Sequence, residues 1–166
     1  MNLNLRELAS GGTPVALHGA IKTDLEYAVN GIRLTEPIVA DVVAYAGSGT
    51  AVVKGTLSAN IRFDCAKCLK PVKERVEYPV MELFTMQRDK VDADEDIHLV
   101  HDEIVTLDPY LQDAFLVQLP MAAVCDPSCK GLCPVCGKDW NVENCRCEQE
   151  NIDPRLEGLK RYFQSQ

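Results

Sequence analysis

Residues 37–63, PIVADVVAYAGSGTAVVKGTLSANIRF, decide the fold of this chain. The stretch holds two runs rich in Val, Ile and Thr, at 37–45 and 50–63, and the turn-forming sequence GSG lies between them at 47–49. β-branched residues favour extended strands, and a short glycine-containing turn between two such strands favours antiparallel pairing. The sequence therefore predicts a β-hairpin.

A third strand-like run, at 72–84, follows the hairpin. Pro71 and Pro79 indicate the start of a strand and an edge position, because proline cannot donate a hydrogen bond to a neighbouring strand. Cys65 and Cys68 fall in the link between the second and third runs. We therefore expect both thiols at a turn, where two strand ends can aim them at one point.

Helical signals follow in the second half of the chain. Asp108 is a typical capping residue, Pro109 suits the first helical turn, and apolar residues recur at helical spacing until Pro120. A shorter helix is predicted at 153–164, where an Asp-Pro start recurs but a glycine weakens the pattern. We expect the first of these helices to lie over the sheet.

Charge is unevenly distributed along the chain. The formal net charge is −8, and residues 85–124 carry nine Asp or Glu against two Lys or Arg. The densest acidic part, at about 86–104, contains many Asp and no Phe, Tyr or Trp. Such a composition predicts a solvated acidic loop.

The sequence contains no segment typical of a membrane or secreted protein. No run approaches about 18 consecutive apolar residues, and the first residues lack the charged and apolar regions of a secretory signal. We therefore expect a cytoplasmic protein with no membrane partner. Thiols stay reduced in the cytoplasm, so clustered cysteines there indicate metal or redox sites more than disulfides.

Six of the eight cysteines lie in one block, CDPSCKGLCPVCGKDWNVENCRC, at 125–147. A disulfide framework, a redox centre, an iron–sulfur cluster and a zinc site are all candidates. Cys133 and Cys136 form a knuckle with the following glycine, and Cys145 and Cys147 supply a second pair of ligands. The run lacks the CxxCxxC spacing of common iron–sulfur proteins. The pattern therefore favours zinc.

The remaining cysteines leave the number of ions open. Cys65 and Cys68 can join Cys125 and Cys129 in a second four-thiol site, so that the chain binds two zinc ions. Alternatively, four of the last six cysteines bind a single ion. A redox role for Cys65 and Cys68 would need a helix that lowers the pKa of a thiol, whereas strands flank this pair. We expect these two thiols to be structural and not unusually acidic.

These observations predict an α+β fold, with an antiparallel β-sheet or a barrel-like core, one or two short helices and a C-terminal zinc-binding appendage. We expect residues 1–124 to form the β-rich core and residues 125–166 to form the appendage with a C-terminal helix.

Cationic residues surround the first cysteine pair. They are Arg62, Lys67, Lys70, Lys73 and Arg75, against Asp64 and Glu74. A local excess of positive charge can contact RNA phosphates even in an acidic protein.

No GxGxxG, phosphate loop or Ser-His-Asp arrangement is recognisable, so we expect no catalytic residues, no small-molecule substrate and no enzyme activity.

Three segments in order, FDCAKCLKPV, the six-cysteine block and DPRLEGLKRYF, resemble the YceD family of large ribosomal RNA subunit accumulation proteins. The resemblance implies a non-enzymatic role in large-subunit biogenesis. Its partner would be the large-subunit ribosomal RNA precursor, a basic ribosomal protein, or both. The alternative is a zinc-stabilised protein-interaction module or a thiol redox switch unrelated to ribosomes.

Overall fold

A computed structural model describes residues 1–21, 23, 28–91 and 96–147 of the chain. The strands of these residues are β1 (Asn2–Asn4), β2 (Val15–Ile21), β3 (Ala28–Val29), β4 (Ile32–Leu34), β5 (Ile38–Ala46), β6 (Ala51–Asp64), β7 (Pro71–Thr85), β8 (Ile97–Leu99) and β9 (Ile104–Thr106). The helices are α1 (Leu5–Gly11), α2 (Arg88–Val91) and α3 (Asp108–Gln118).

The main sheet is built on β5, β6 and β7, the strands that the sequence predicts. β5 pairs antiparallel with β6, and β6 pairs antiparallel with β7. β2 pairs with β5 on one side, and β8 pairs in parallel with β7 on the other. β4, followed by β3, lies beside the second half of β6. A small second sheet pairs β1 with β9.

This arrangement confirms the α+β class and selects the sheet over the barrel. Within the described residues β2 and β8 pair with the sheet on one side only, so the sheet stays open. The structure has three short helices in these residues, and the sequence predicted one or two. The helix that the sequence missed at the start of the chain, α1, begins where the Asn4 side chain accepts hydrogen bonds from two backbone N–H groups.

β6 and β7 form one long ladder, from Ala51 opposite Phe84 to Asp64 opposite Pro71. Residues of β6 are buried and exposed in near alternation, so the strand has one core face and one face toward solvent. We call the second face, which carries Lys54, Thr56 and Arg62, the open face. This face forms an exposed surface of the sheet.

The core lies on the opposite face of the sheet and is covered by α3 and α1. Phe115 of α3 packs against Tyr78 of β7, with ring centroids 5.4 Å apart. Leu8 of α1 is also buried in this core. The prediction that the helix lies over the sheet is therefore confirmed.

Asp108 does not cap α3 as the sequence predicted. The helix begins at Asp108 itself, and the preceding residue, Leu107, occupies the capping position without a side-chain hydrogen bond. The Asp108 carboxylate instead forms an ion pair with the backbone nitrogen of Met1. Because Asp108 is the first residue of the helix, its carboxylate does not occupy the capping position.

The predicted acidic loop contains regular structure at both of its ends. α2 occupies its beginning, and Ile97 of β8 pairs with Leu83 of β7 near its end. Residues 92–95 and the C-terminal helix predicted at 153–164 lie outside the described residues. None of the described helices is long and apolar enough to cross a membrane.

Candidate metal centres

The turn between β6 and β7 meets the segment after α3 in a cluster of four thiols. Cys65 and Cys68 come from the turn, and Cys125 and Cys129 come from the later segment. The Sγ atoms of Cys65 and Cys129 are 3.9 Å apart, and those of Cys68 and Cys125 are 3.6 Å apart. All four sulfurs lie within 4.8 Å of one another. We call this set the first cluster.

The other four cysteines form the second cluster. Cys133, Cys136, Cys145 and Cys147 also place their sulfurs within 4.8 Å of one another. Cys133 is buried, whereas Cys136 is exposed and the last two are half-buried. The eight thiols therefore form two sets of four, which is the two-site arrangement that the sequence left open.

The turn of the first cluster, residues 65–70, is a knuckle held by its own backbone. The Cys65 N–H donates to the Lys70 carbonyl at 2.9 Å, and the Leu69 N–H donates to the Cys65 carbonyl at 2.9 Å. The N–H groups of Lys67 and Cys68 point at the Cys65 sulfur, at 3.4 and 3.5 Å. The positive ends of these N–H dipoles thus face the Cys65 sulfur and would stabilise its thiolate. Leu69 has a positive φ of 58°.

Residues 133–138 of the second cluster repeat the same knuckle. The Cys133 N–H donates to the Lys138 carbonyl at 2.8 Å, and the Gly137 N–H donates to the Cys133 carbonyl at 2.9 Å. The Val135 N–H points at the Cys133 sulfur at 3.4 Å. Gly137 holds the position equivalent to Leu69, with φ of 73°. Two stretches far apart in sequence therefore adopt one loop design.

The donor sets fit a tetrahedral metal ion. Zinc binds thiolate sulfur at about 2.3 Å, so the sulfurs of a regular tetrahedron are about 3.8 Å apart. The two distances quoted for the first cluster lie on either side of this value. Thiolates are soft ligands and select ions such as Zn²⁺, Cu⁺ and iron. Each cluster could therefore hold a metal ion.

The thiols of the first cluster do not ionise alike. The pKa of Cys65 is lowered to about 6, chiefly because the backbone N–H of Cys125 donates to its sulfur, with help from Cys68 and Lys67. The pKa of Cys125 is raised to about 12, mainly because its thiol forms hydrogen bonds with the Cys129 and Cys68 side chains, and desolvation adds to the shift. Several thiolates in one cluster therefore need a cation nearby.

The second cluster shows the same division. The pKa of Cys145 is lowered to about 6, mainly because the Trp140 indole N–H donates to its sulfur at 3.3 Å. The pKa of Cys147 is raised to about 12, mainly by its hydrogen bond with the Cys136 side chain. The crowding of thiols again opposes full ionisation in the absence of a cation.

The expectation that Cys65 is not acidic was wrong. The sequence correctly indicates no helix at this position, but backbone N–H groups of the knuckle and of Cys125 stabilise the thiolate instead. The Cys65 side chain is fully buried, so it is hidden from soluble oxidants. Its low pKa therefore suits a metal ligand better than a redox thiol.

Asn141 connects the two clusters. It belongs to the loop of the second cluster, but its Nδ2 donates to the Cys129 sulfur of the first cluster at 3.4 Å. Its Oδ1 accepts a hydrogen bond from the Lys130 N–H at 2.8 Å, which fixes the amide. Sequence reasoning missed this residue, because nothing local distinguishes it from other loop asparagines.

The backbones of the two clusters are in direct contact. The Leu132 N–H donates to the Lys67 carbonyl of the first knuckle at 3.1 Å. Gly131 lies so close that a Cβ atom there would be 3.0 Å from the same carbonyl oxygen. The Ala66 N–H also donates to the Ala123 carbonyl at 2.8 Å. The cysteine-rich segment is thereby fixed to the end of the hairpin.

The cationic residues that the sequence grouped together are divided by the structure. Arg62 of β6 lies directly opposite Lys73 of β7, and Arg75 follows on the same face. Lys67 lies in the first knuckle, where its Nζ donates to the Cys129 carbonyl at 3.2 Å. Lys70 ends that knuckle and is exposed. The knuckle lysines therefore do not share the strands of the other three residues.

The strand pairing adds a cation that the sequence did not indicate. Arg33 of β4 lies directly opposite Arg62 of β6. It is distant from the patch along the chain, so only knowledge of which strands are neighbours could have included it.

The protein is built on an open β-sheet whose longest hairpin ends in a cysteine knuckle, and this knuckle contacts a second four-cysteine loop. This combination defines a β-rich protein with two candidate metal centres. The chain belongs to the YceD family. The family described as "Large ribosomal RNA subunit accumulation protein YceD" matches residues 53–161. The resemblance indicated by the cysteine motifs is therefore confirmed.

Similar proteins occur in bacteria and plants. A Mycobacterium tuberculosis protein is 37% identical over 107 residues, which cover 63% of this chain and 51% of the relative. YlbN of Bacillus subtilis is 30% identical over 107 residues, which cover 64% of this chain and 62% of YlbN. A Zea mays protein named "Large ribosomal RNA subunit accumulation protein YCED homolog 1, chloroplastic" is 26% identical over 164 residues, which cover 80% of this chain and 56% of the maize protein. The chain thus spans about half the length of the mycobacterial relative, and no solved structure matches.

Proposed function

We propose that the protein is a non-enzymatic ribosome biogenesis factor that supports the accumulation of large-subunit ribosomal RNA. The observation that carries this proposal is the match over residues 53–161 to a family described by large ribosomal RNA subunit accumulation. The name of the maize relative supports the same role. The protein would act by binding precursor RNA or a ribosomal protein, in the cytoplasm, where bacterial ribosomes assemble.

Both clusters would hold zinc, as two ions per chain. Four thiols saturate a tetrahedral ion and leave no position for water or substrate, which is typical of a structural site. When bound, zinc would supply a cross-link between the β6–β7 turn and the segment after α3. This all-thiol ligation supports a structural role of the metal and a binding role of the protein.

Metal counting tests the zinc assignment. Native mass spectrometry of the reduced full chain is expected to find two zinc ions. Cys129→Ser and Cys147→Ser change different clusters, so each variant is expected to retain one ion and the double variant none. A wild-type chain with a single ion, or with iron, would contradict the assignment.

Depletion in the host organism tests the biological role. We expect the ratio of large-subunit to small-subunit ribosomal RNA to fall, and the tagged protein to sediment with immature large subunits. The double variant Cys129→Ser and Cys147→Ser, which we expect to be metal-free, should fail to restore the ratio. An unchanged ratio after depletion would refute the proposed role.

A thiol redox switch is less well supported. Such a switch needs a reactive thiol that solvent can reach, whereas the two thiols with lowered pKa are fully buried or half-buried within clusters.

A further inference from the structure

We propose that Arg33, Arg62 and Lys73, on the open face of the sheet, bind the phosphate backbone of RNA. We call these three residues the cationic row. The proposal rests on the proposed function, because a role in large-subunit biogenesis brings the protein next to ribosomal RNA.

Strand register alone places these three residues side by side. Arg33 pairs with Arg62 across β4 and β6, and Arg62 pairs with Lys73 across β6 and β7. Directly opposed residues of neighbouring strands point to the same face, with Cβ atoms about 5 Å apart. All three residues are exposed, whereas Ile61 and Phe63, which flank Arg62 on β6, are buried in the core. The row therefore spans about 10 Å of the open face.

The row is an electrostatically unfavourable arrangement in the isolated chain. Like charges directly opposite each other in a sheet destabilise it. Among the residues that the structure describes, no carboxylate forms an ion pair with any of the three. Arg75, two residues beyond Lys73, is different, because it pairs with Glu77 at 3.4 Å and donates to Ser58. The cationic row thus lacks the internal compensation that its neighbour has, and an external anion would supply it.

The surroundings limit the site to a short length of backbone. Asp64 follows Arg62 on the same face of β6, and Glu77 lies beyond Arg75 on β7. Toward the other end of the face, Lys54 lies between Val43 and Met81, which are both exposed. The positive charge is therefore local.

A local row is consistent with an acidic protein that binds RNA at one place. The net charge of −8 opposes general coating of RNA, but charges more than about 10 Å away are largely screened at physiological salt. Close to the row, attraction to phosphate therefore dominates. A basic protein would meet repulsion at this surface, so the sign of the charge favours RNA.

The number of cations sets the salt dependence. Three phosphate contacts release counterions with a slope of log K against log salt of about −2.1 for single strands and −2.7 for a duplex. Between 50 and 200 mM salt, these slopes correspond to a loss of affinity of about 20- to 40-fold. A surface without phosphate contacts would show almost none of this loss.

The test uses the zinc-loaded full chain and transcribed large-subunit ribosomal RNA in a filter-binding titration. The triple variant Arg33→Gln, Arg62→Gln and Lys73→Gln is expected to bind at least about tenfold more weakly at 50 mM salt, with a slope near zero. Lys54→Gln is the matched control, because Lys54 is exposed on the same face of the same strand, eight residues away. We expect it to bind within twofold of wild type.

A melting curve checks that the triple variant is folded. Removal of mutual repulsion should leave its melting temperature equal to that of wild type or raise it by about 1–3 °C. Equal affinity and equal salt slope for the folded triple variant and wild type would overturn the proposal. Absence of any wild-type binding to this RNA would also overturn it.

Sedimentation in cell extracts separates this proposal from the proposed function. If wild type does not sediment with immature large subunits, the proposed function fails. If wild type and the triple variant sediment equally, the function stands and the cationic row is not its contact. If neutralising Asp92, Asp94 and Asp96 to Asn abolishes sedimentation while the triple variant behaves as wild type, the partner is a basic protein and the RNA assignment is wrong.

Discussion

Substitution of Gly131 by alanine should loosen the contact between the two metal clusters. Gly131 has φ of 78°, and an added Cβ would lie 3.0 Å from the Lys67 carbonyl oxygen and 3.3 Å from the Lys67 Cβ. Gly137 provides a matched control, because its φ of 73° is nearly the same and nothing lies within 4 Å of an added Cβ. The two variants therefore share the backbone penalty and differ in the collision.

The magnitudes follow from these distances. A left-handed conformation costs an alanine about 1 kcal/mol or somewhat more, and both variants carry this cost. Relief of the collision in Gly131→Ala requires movement away from Lys67, which lengthens the hydrogen bond from Leu132, now 3.1 Å. The net value of such a bond is about 1 kcal/mol. We expect Gly131→Ala to lower the free energy of unfolding by about 2 kcal/mol and Gly137→Ala by about 1 kcal/mol.

Urea unfolding with excess zinc measures this difference. For a chain of this size, 1 kcal/mol corresponds to about 2–4 °C in melting temperature, so thermal unfolding gives a second reading. We also expect Gly131→Ala to weaken metal binding at the first cluster more than at the second. Equal stability of the two variants would refute the claim that the clusters are packed through this contact.

Three further predictions concern the clusters. Leu69→Gly should stabilise the chain by about 0.5 kcal/mol in urea unfolding, because relief of the positive φ slightly exceeds the added freedom of the unfolded chain; a loss would show that Leu69 is not strained. Asn141→Leu should weaken zinc binding at the first cluster about tenfold in competition with a chelator, and Asn144→Leu, on the same loop, should not; equal effects would exclude a specific role for the Asn141 amide. The lowered pKa of Cys65 and of Cys145 stabilises the folded state above the ordinary thiol pKa of 9.0, and this stabilisation should disappear as the pH of the metal-free protein falls from 9 to about 6. Zinc release should become steeper below pH 6, because protons then compete for these two sulfurs. A release rate that does not depend on pH would contradict this prediction.

The hairpin strands could be predicted because their signals are local. β-branched runs, the turn at 47–49 and the two prolines are all read within a few residues of one another, and β5, β6 and β7 occur where these signals predict. β8 could not be recognised, because its three residues pair in parallel with β7 and follow an acidic stretch. α1 has a local signal in its capping residue Asn4, but the helix is only seven residues long and also depends on burial of Leu8 against the sheet, which the sequence does not show.

The candidate site was predictable in composition, and the observed grouping was one of the two arrangements that the cysteine spacing left open. Cysteine spacing identifies all eight thiols, yet their division into two clusters depends on how the segment after α3 returns to the β6–β7 turn. The same limit applies to Asn141 and Arg33, whose partners are set by tertiary contact and by strand pairing. Spacing therefore identifies candidate ligands, and the fold determines which of them meet.

The first cluster also has a consequence for the order of events during synthesis. Its two halves are far apart in the chain, because Cys129 follows Cys65 by 64 positions. At about 5–20 residues per second, the ribosome needs roughly 3–13 s to add that length, and during this time the first knuckle has only two of its four ligands. The strands of the β6–β7 hairpin can pair before Cys125 and Cys129 are synthesised, since the contacts of the hairpin are local. Metal capture at the hairpin end is then a late step, and a nascent chain stopped before Cys125 should leave Cys65 and Cys68 open to alkylation.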